Sequence, residues 1–208
     1  MAIFRPAKAS GNGGGGFTGI KEASLASIVD KSDEKLDDGS KKYKWADIYL
    51  DVEWKIKDSQ YTNKMQIAGS FDRDDGGNIT GGSVVNRLYH FFDTIGYDGG
   101  INIKGEWEDK DGNKIDDISQ ALSSFIDNDP IEANYDYLIY IYKEQPKPGQ
   151  DKAWTRVANN AIFKNQPGMQ EKLQDKVNFL KSKNIIKEFN GVLNDTKVSF
   201  DDVGVEAL

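Results

Sequence analysis

The sequence predicts a mainly β protein, a five-stranded barrel with flanking helices and one helix between the third and fourth strands. Three observations carry this reading. Apolar and polar residues alternate with period two from Tyr43 to Lys57, and the alternation resumes from Lys64 to Phe71. One strongly amphipathic helical stretch follows, and two further β-rich segments come after it. The 208 residues fit one such domain with tails, and 10 Phe, 9 Tyr and 4 Trp supply large side chains for a core despite an apolar content of 38%.

Residues 1–19 carry Gly-Asn-Gly-Gly-Gly-Gly and little to bury, so they read as a flexible arm. Ala23 to Val29 supplies a first strand through Leu25, Ile28 and Val29, and residues 30–42 a polar loop. In the long second strand Ala46, Ile48, Leu50, Val52, Trp54 and Ile56 share one face. Asp47, Asp51, Glu53, Lys55 and Lys57 share the other with Tyr43, Trp45 and Tyr49. The residues 57–60 are turn-prone and join this strand to a third, making a hairpin. After a loop at 72–82, Val84, Val85, Leu88, Phe91, Phe92 and Ile95 recur at helical spacing. Ser83 is placed to cap that helix and Gly96 to close it. Residues 97–130 read as an insertion, with a short strand around Ile101–Trp107, a turn at Asp111-Gly-Asn113 and a short helix near Ile118–Phe125.

Tyr135–Lys143 is apolar on both faces, as in a central strand or one whose second face binds something. One of Tyr135, Tyr137, Tyr140 and Tyr142 is expected at a ligand, the rest in core and rim. A Pro/Gly loop at 144–151 leads to a returning strand at Ala153–Phe163. A helix with the stripe Met169, Leu173, Val177 and Leu180 is appended within 166–190, and residues 191–208 form an acidic tail. The main domain then spans 20–165. This order of elements is that of the OB-fold; a β-sandwich or jelly roll also offers long alternating strands.

Composition excludes whole classes of chemistry. Zero Cys rules out disulfides, thiol catalysis and Cys-ligated metals, and a single histidine, His90, argues against His-rich metal sites and Ser-His-Asp chemistry. Asp109-Lys-Asp-Gly-Asn113 has the look of a calcium loop, but the positions that need Gly and a bidentate Glu hold Lys114 and Gln120, so a turn explains it more simply. Gly11–Gly16 lacks the Lys-Ser/Thr of a phosphate loop. No cofactor is expected, and no pair of carboxylates is singled out for hydrolysis. With no apolar run of membrane length and no secretory leader in view, the expectation is a cytoplasmic protein that does not engage membranes. The net charge is −7, yet residues 143–188 hold 10 basic and 5 acidic side chains, a section suited to a polyanion.

The hairpin Lys44–Phe71, the helix ending Leu88-Tyr-His-Phe-Phe-Asp-Thr-Ile-Gly96, the closing pair Tyr137–Phe163, the Gly-rich arm and the acidic C-terminus together resemble bacteriophage single-stranded DNA-binding proteins of the OB-fold type. The resemblance implies a non-catalytic protein that coats single strands during replication or recombination in a host cytoplasm; the alternatives are a phage structural or assembly component that uses the β domain for protein contacts, and a carbohydrate-binding module whose exposed aromatics stack on sugars. Binding single strands takes aromatic faces for bases and cations for phosphates. The candidates are Tyr43, Trp45 and Tyr49 on the outward face of the long strand, Lys64 beside them, and Arg73 after the third strand. Lys143 and Lys147 flank the loop between the last two strands, and on the fifth strand Trp154 and Arg156 share a face, with Lys152 preceding them. Asp201, Asp202 and Glu206 in the tail are candidates for docking replication proteins, and the sequence leaves homo-oligomerisation open.

Overall fold

The structure is a computed structural model, and it describes residues 18–127, 133–146 and 153–189. Residues 1–17 of the expected arm, the tail, Lys147 and Lys152 lie outside the described residues, and the arm's last residue, Gly19, instead opens the first strand, paired with Ile141. The main sheet has five antiparallel-paired strands, and across it the third strand of the chain lies at one edge, followed by the second, the first and the last two. They are β1 (Gly19–Asp30), β2 (Ile48–Ile56), β3 (Thr62–Gly69), β8 (Tyr137–Lys143) and β9 (Thr155–Lys164). Between β3 and β8 run the two-stranded pair β4 (Asp72–Arg73) and β5 (Ile79–Gly81), helix α1 (Ser83–Ile95), the pair β6 (Gly100–Ile101) and β7 (Trp107–Glu108), and the short helix α2 (Ile118–Ala121). Helix α3 (Met169–Ser182) follows β9.

The alternation of β2 does what its period requires. Ile48, Leu50, Val52, Trp54 and Ile56 enter the main core, where Met65 and Ile67 of β3 and Val84, Leu88, Phe91, Phe92 and Ile95 of α1 meet them. The Trp54 ring stands edge-on to Phe91 and Tyr137 at 6.3 and 5.3 Å, a favourable aromatic geometry. The β8 strand is apolar on both faces because the molecule covers both. Tyr137, Ile139 and Ile141 join the main core. Leu138 and Tyr140 pack on the other side with Leu173, Val177 and Leu180 of α3.

Strand β1 serves two neighbours. Its first residues pair with β8 and its later ones with β2, with Ala23 opposite both Ile56 and Tyr137. A register shift between Leu25 and Ser27 lets it turn between them, since an extra residue on one strand bends and twists it locally. The 97–127 stretch anchors here: Asp127 N–H donates to the Leu25 carbonyl at 2.8 Å, and Asp30 N–H donates to Ser119 Oγ at 2.7 Å. Ile118 and Leu122 are thereby fully buried in the core.

Several expectations change. The sheet is not closed into a barrel. Its edges, β3 and β9, run parallel, and side chains stand between them: Asn159 Nδ2 donates to the Gln66 carbonyl at 2.6 Å, and Arg156 Nη1 to Gln66 Oε1 at 3.2 Å. A backbone ladder would need the strands about 4.8 Å apart, with no room for those side chains. The second strand begins at Ile48, so Tyr43 and Trp45 lie in the β1–β2 connection; the chain turns there, with Ala46 N–H bonded to the Tyr43 carbonyl at 3.0 Å. Ser83 is the first residue of α1, and Gly82 occupies the cap position with no side-chain cap bond. Gly96 does close the helix in the left-handed conformation, φ 84°, its N–H on the Phe92 carbonyl. The strand expected at Ile101–Trp107 is two short strands, because Asn102–Gly105 turns between them.

Candidate nucleic-acid interface

The open seam between β3 and β9 forms a groove of about 440 Å³. Lys64, Gln66 and Ala68 line it from β3, and Arg156, Val157, Ala158, Asn159 and Asn160 line it from β9. Trp45 stands at it from the β1–β2 connection, Arg87 from α1, Tyr142 and Glu144 from the end of β8, and Ile185 from beyond α3. The groove exists because the sheet stops short of closure.

Three of the ten sequence-predicted residues meet there: Trp45, Lys64 and Arg156. The Trp45 ring is 59% exposed, and its backbone is held by Ser70 Oγ, which donates to the Trp45 carbonyl at 2.5 Å. Lys64 Nζ lies 3.1 Å from Glu53, and Arg156 Nε donates to Glu144. A phosphate entering the groove would therefore exchange with carboxylates already present.

Tyr49 is withdrawn from any surface role. Tyr43 stacks on it with centroids 3.8 Å apart, the Trp45 ring meets it edge-on at 6.0 Å, and its hydroxyl accepts from Gln66 Nε2 at 2.8 Å. Burial, with Asp51 adding to it, raises the Tyr49 pKa. The three rings form one aromatic cluster, Tyr43 stacked on Tyr49 and Trp45 edge-on to it, with Trp45 the most exposed. Arg73 does not line the groove: its guanidinium bonds the Gly77 carbonyl at 2.8 Å, lies 3.4 Å from Asp47 and sits over the Phe71 ring. Trp154 is 58% exposed just before β9, outside the lining residues, and Lys143 is half-buried at the end of β8.

Sequence reasoning missed the groove's amide and guanidinium lining. Gln66, Asn159, Asn160 and Arg87 become neighbours only because β3, β9 and α1 converge, and no local pattern marks them. The alternation does place Gln66 on the outward face of β3, which is the one signal available. Of the four tyrosines near β8, Tyr142 reaches the groove, whereas Tyr137 is core and Tyr140 lies under α3, its hydroxyl 3.2 Å from Glu188. Phe179 of α3 is 50% exposed, with Lys176 and Lys183 ammonium groups 5.9 and 5.8 Å from its ring centre.

Among the described residues no cluster of His, Asp or Glu is arranged to hold a metal ion, and no helix is long and apolar enough to cross a membrane. The chain matches no family model, no curated protein and no solved structure. What fold and site define is a mainly β protein with an aromatic- and cation-bearing groove at the open edge of its sheet.

Proposed function

We propose that the protein binds single-stranded DNA, without catalysis, in the groove between β3 and β9. The observation that carries the proposal is the meeting of an exposed indole, Trp45, with Lys64 and Arg156 on an open strand edge. An aromatic face beside cations suits stacked bases with a phosphate backbone running past. The strand order adds support. The first strand pairs with the second and the fourth of the main sheet, a helix lies between the third and fourth, and the third and fifth face each other across the seam. An OB-fold is a partly open five-stranded barrel that binds on its second and third strands and on its first and last hairpin loops. On an OB-like reading, Trp45 ahead of the second strand and Lys64 on the third correspond to those places. On this reading the protein is phage-derived and coats strands during replication or recombination in the host cytoplasm, with replication proteins as partners of its C-terminal tail.

A second reading is favoured by the amides. Gln66, Asn159 and Asn160 beside Trp45 also suit a carbohydrate, whose hydroxyls take amide hydrogen bonds and whose apolar face packs on indole. Tryptophan fluorescence decides between them. Oligo(dT) is expected to quench it, and affinity to fall steeply from about 50 to about 200 mM salt as counterions are released. Quenching by oligosaccharides and not by oligo(dT) would replace the DNA reading, and a salt-independent affinity would remove its phosphate contacts.

A further inference from the structure

The groove holds a charge that the described residues leave unbalanced. Arg87 reaches the groove from α1, on the third position after Val84. Its Nη2 donates to the Ala68 carbonyl at 2.8 Å, while its Nε is buried without a hydrogen-bond partner. Lys64 and Arg156 each have a carboxylate; Arg87 forms no ion pair among the described residues. A guanidinium partly removed from water beside only a neutral carbonyl is costly unless an anion joins it. Gly69 leaves room for the guanidinium itself, since a Cβ there would stand 3.2 Å from Arg87 Nη2 and 3.1 Å from Val84 Cβ. Arginine is also the side chain whose planar fork matches phosphate geometry.

We propose that Arg87 is the phosphate-binding residue of the groove, holding a phosphate group at the seam between β3 and β9. The proposal rests on the DNA-binding reading for one point only, that the phosphate belongs to a strand's backbone. The Ala68 carbonyl orients the guanidinium, and the carboxylates at the groove, Glu53 and Glu144, pair with Lys64 and Arg156 and not with Arg87.

The test follows the Arg87 side-chain Cζ and Nε resonances in the full chain while oligo(dT), or separately inorganic phosphate at constant ionic strength, is added. Both signals are expected to move with oligo(dT). In parallel, Arg87→Met should reduce the slope of log affinity against log salt by about 0.7, one phosphate's share on a single strand, and Arg87→Lys should retain the slope. Should Arg87→Met not fold, the wild-type resonances decide alone. If oligo(dT) quenches tryptophan while the Arg87 signals stay fixed and the slope is unchanged, the assignment is overturned and the DNA reading stands. Movement with inorganic phosphate in a protein that ignores oligo(dT) keeps the phosphate site and overturns the DNA reading. Fixed Arg87 signals with both ligands, together with no tryptophan quenching by oligo(dT), overturn both.

Discussion

Three aromatic side chains that share one face in the sequence have three different fates. Tyr49 is buried under Tyr43, Tyr43 is partly exposed, and Trp45, edge-on to Tyr49, is the most exposed of the three. Trp45→Ala is expected to weaken oligo(dT) binding by about 1–3 kcal/mol with little change in thermal stability. Trp54, with no exposed surface, behaves oppositely. Trp54→Ala should remove about 3–5 kcal/mol of folding stability through the cavity it leaves, measured by urea denaturation. If Trp45→Ala instead unfolds the protein, its ring is part of the packing of the Tyr43–Tyr49 stack and not a platform for bases.

His90 carries a prediction of its own, because it is the only histidine. Its ring meets Phe163 edge-on at 6.0 Å, and its Nε2 is buried without a hydrogen-bond partner. Burial above all, and then the charge of Lys176, lower its pKa below the usual 6.5. The unfolded chain therefore takes up a proton that the folded one resists. The stability tied to this group is fully present above the unfolded value and declines as pH falls toward the folded one. Denaturation at about pH 7 and about pH 5.5 should show that loss in the wild type and a smaller one in His90→Gln. Equal losses in both would show that His90 carries none of it.

At the scale of elements, α1 is the hinge of the design, since it covers the main core on one face and supplies Arg87 to the groove on another. Its end depends on backbone freedom at one residue. Gly96 adopts φ 84°, and a Cβ there would meet only Lys164 Nζ at 3.6 Å. Space is not the obstacle, so Gly96→Ala should cost the left-handed conformation alone, about 1–2 kcal/mol, again by urea denaturation. A neutral outcome would mean that the helix ends equally well without that turn. The start of α1 gives the contrary lesson. Ser83 has the chemistry of a cap, but the Gly82 backbone turns first, and a Cβ at Gly82 would meet the Ser70 carbonyl at 3.1 Å. Close approach to the chain after β3 decides the boundary, and such an approach is invisible along the sequence.

For the whole molecule, the sequence by itself determined the main strands, helices α1 and α3 and most of the apolar core, but not the start of β2, the β4–β5 pair within the expected 72–82 loop, or the burial of Tyr49. Period two in β2 and β3 and the helical stripe of α1 are local consequences of how side chains alternate on a strand and recur on a helix. Val84, Leu88, Phe91 and Phe92 are buried where that spacing puts them, and Leu173, Val177 and Leu180 lie under α3 in the same way. The double apolar face of β8 was legible too, and its explanation is internal: two cores, one on each side. Only the tertiary structure decided how the sheet ends and what meets there. Whether β3 and β9 join or stand apart depends on Gln66, Arg156 and Asn159, residues about ninety positions apart that face each other across the seam. Polar side chains carry no period that announces such a meeting, because their positions follow from the path of the backbone and not from burial. For the same reason Trp45 and Tyr49 look equivalent in the sequence, while a turn before Ile48 exposes one ring and buries the other.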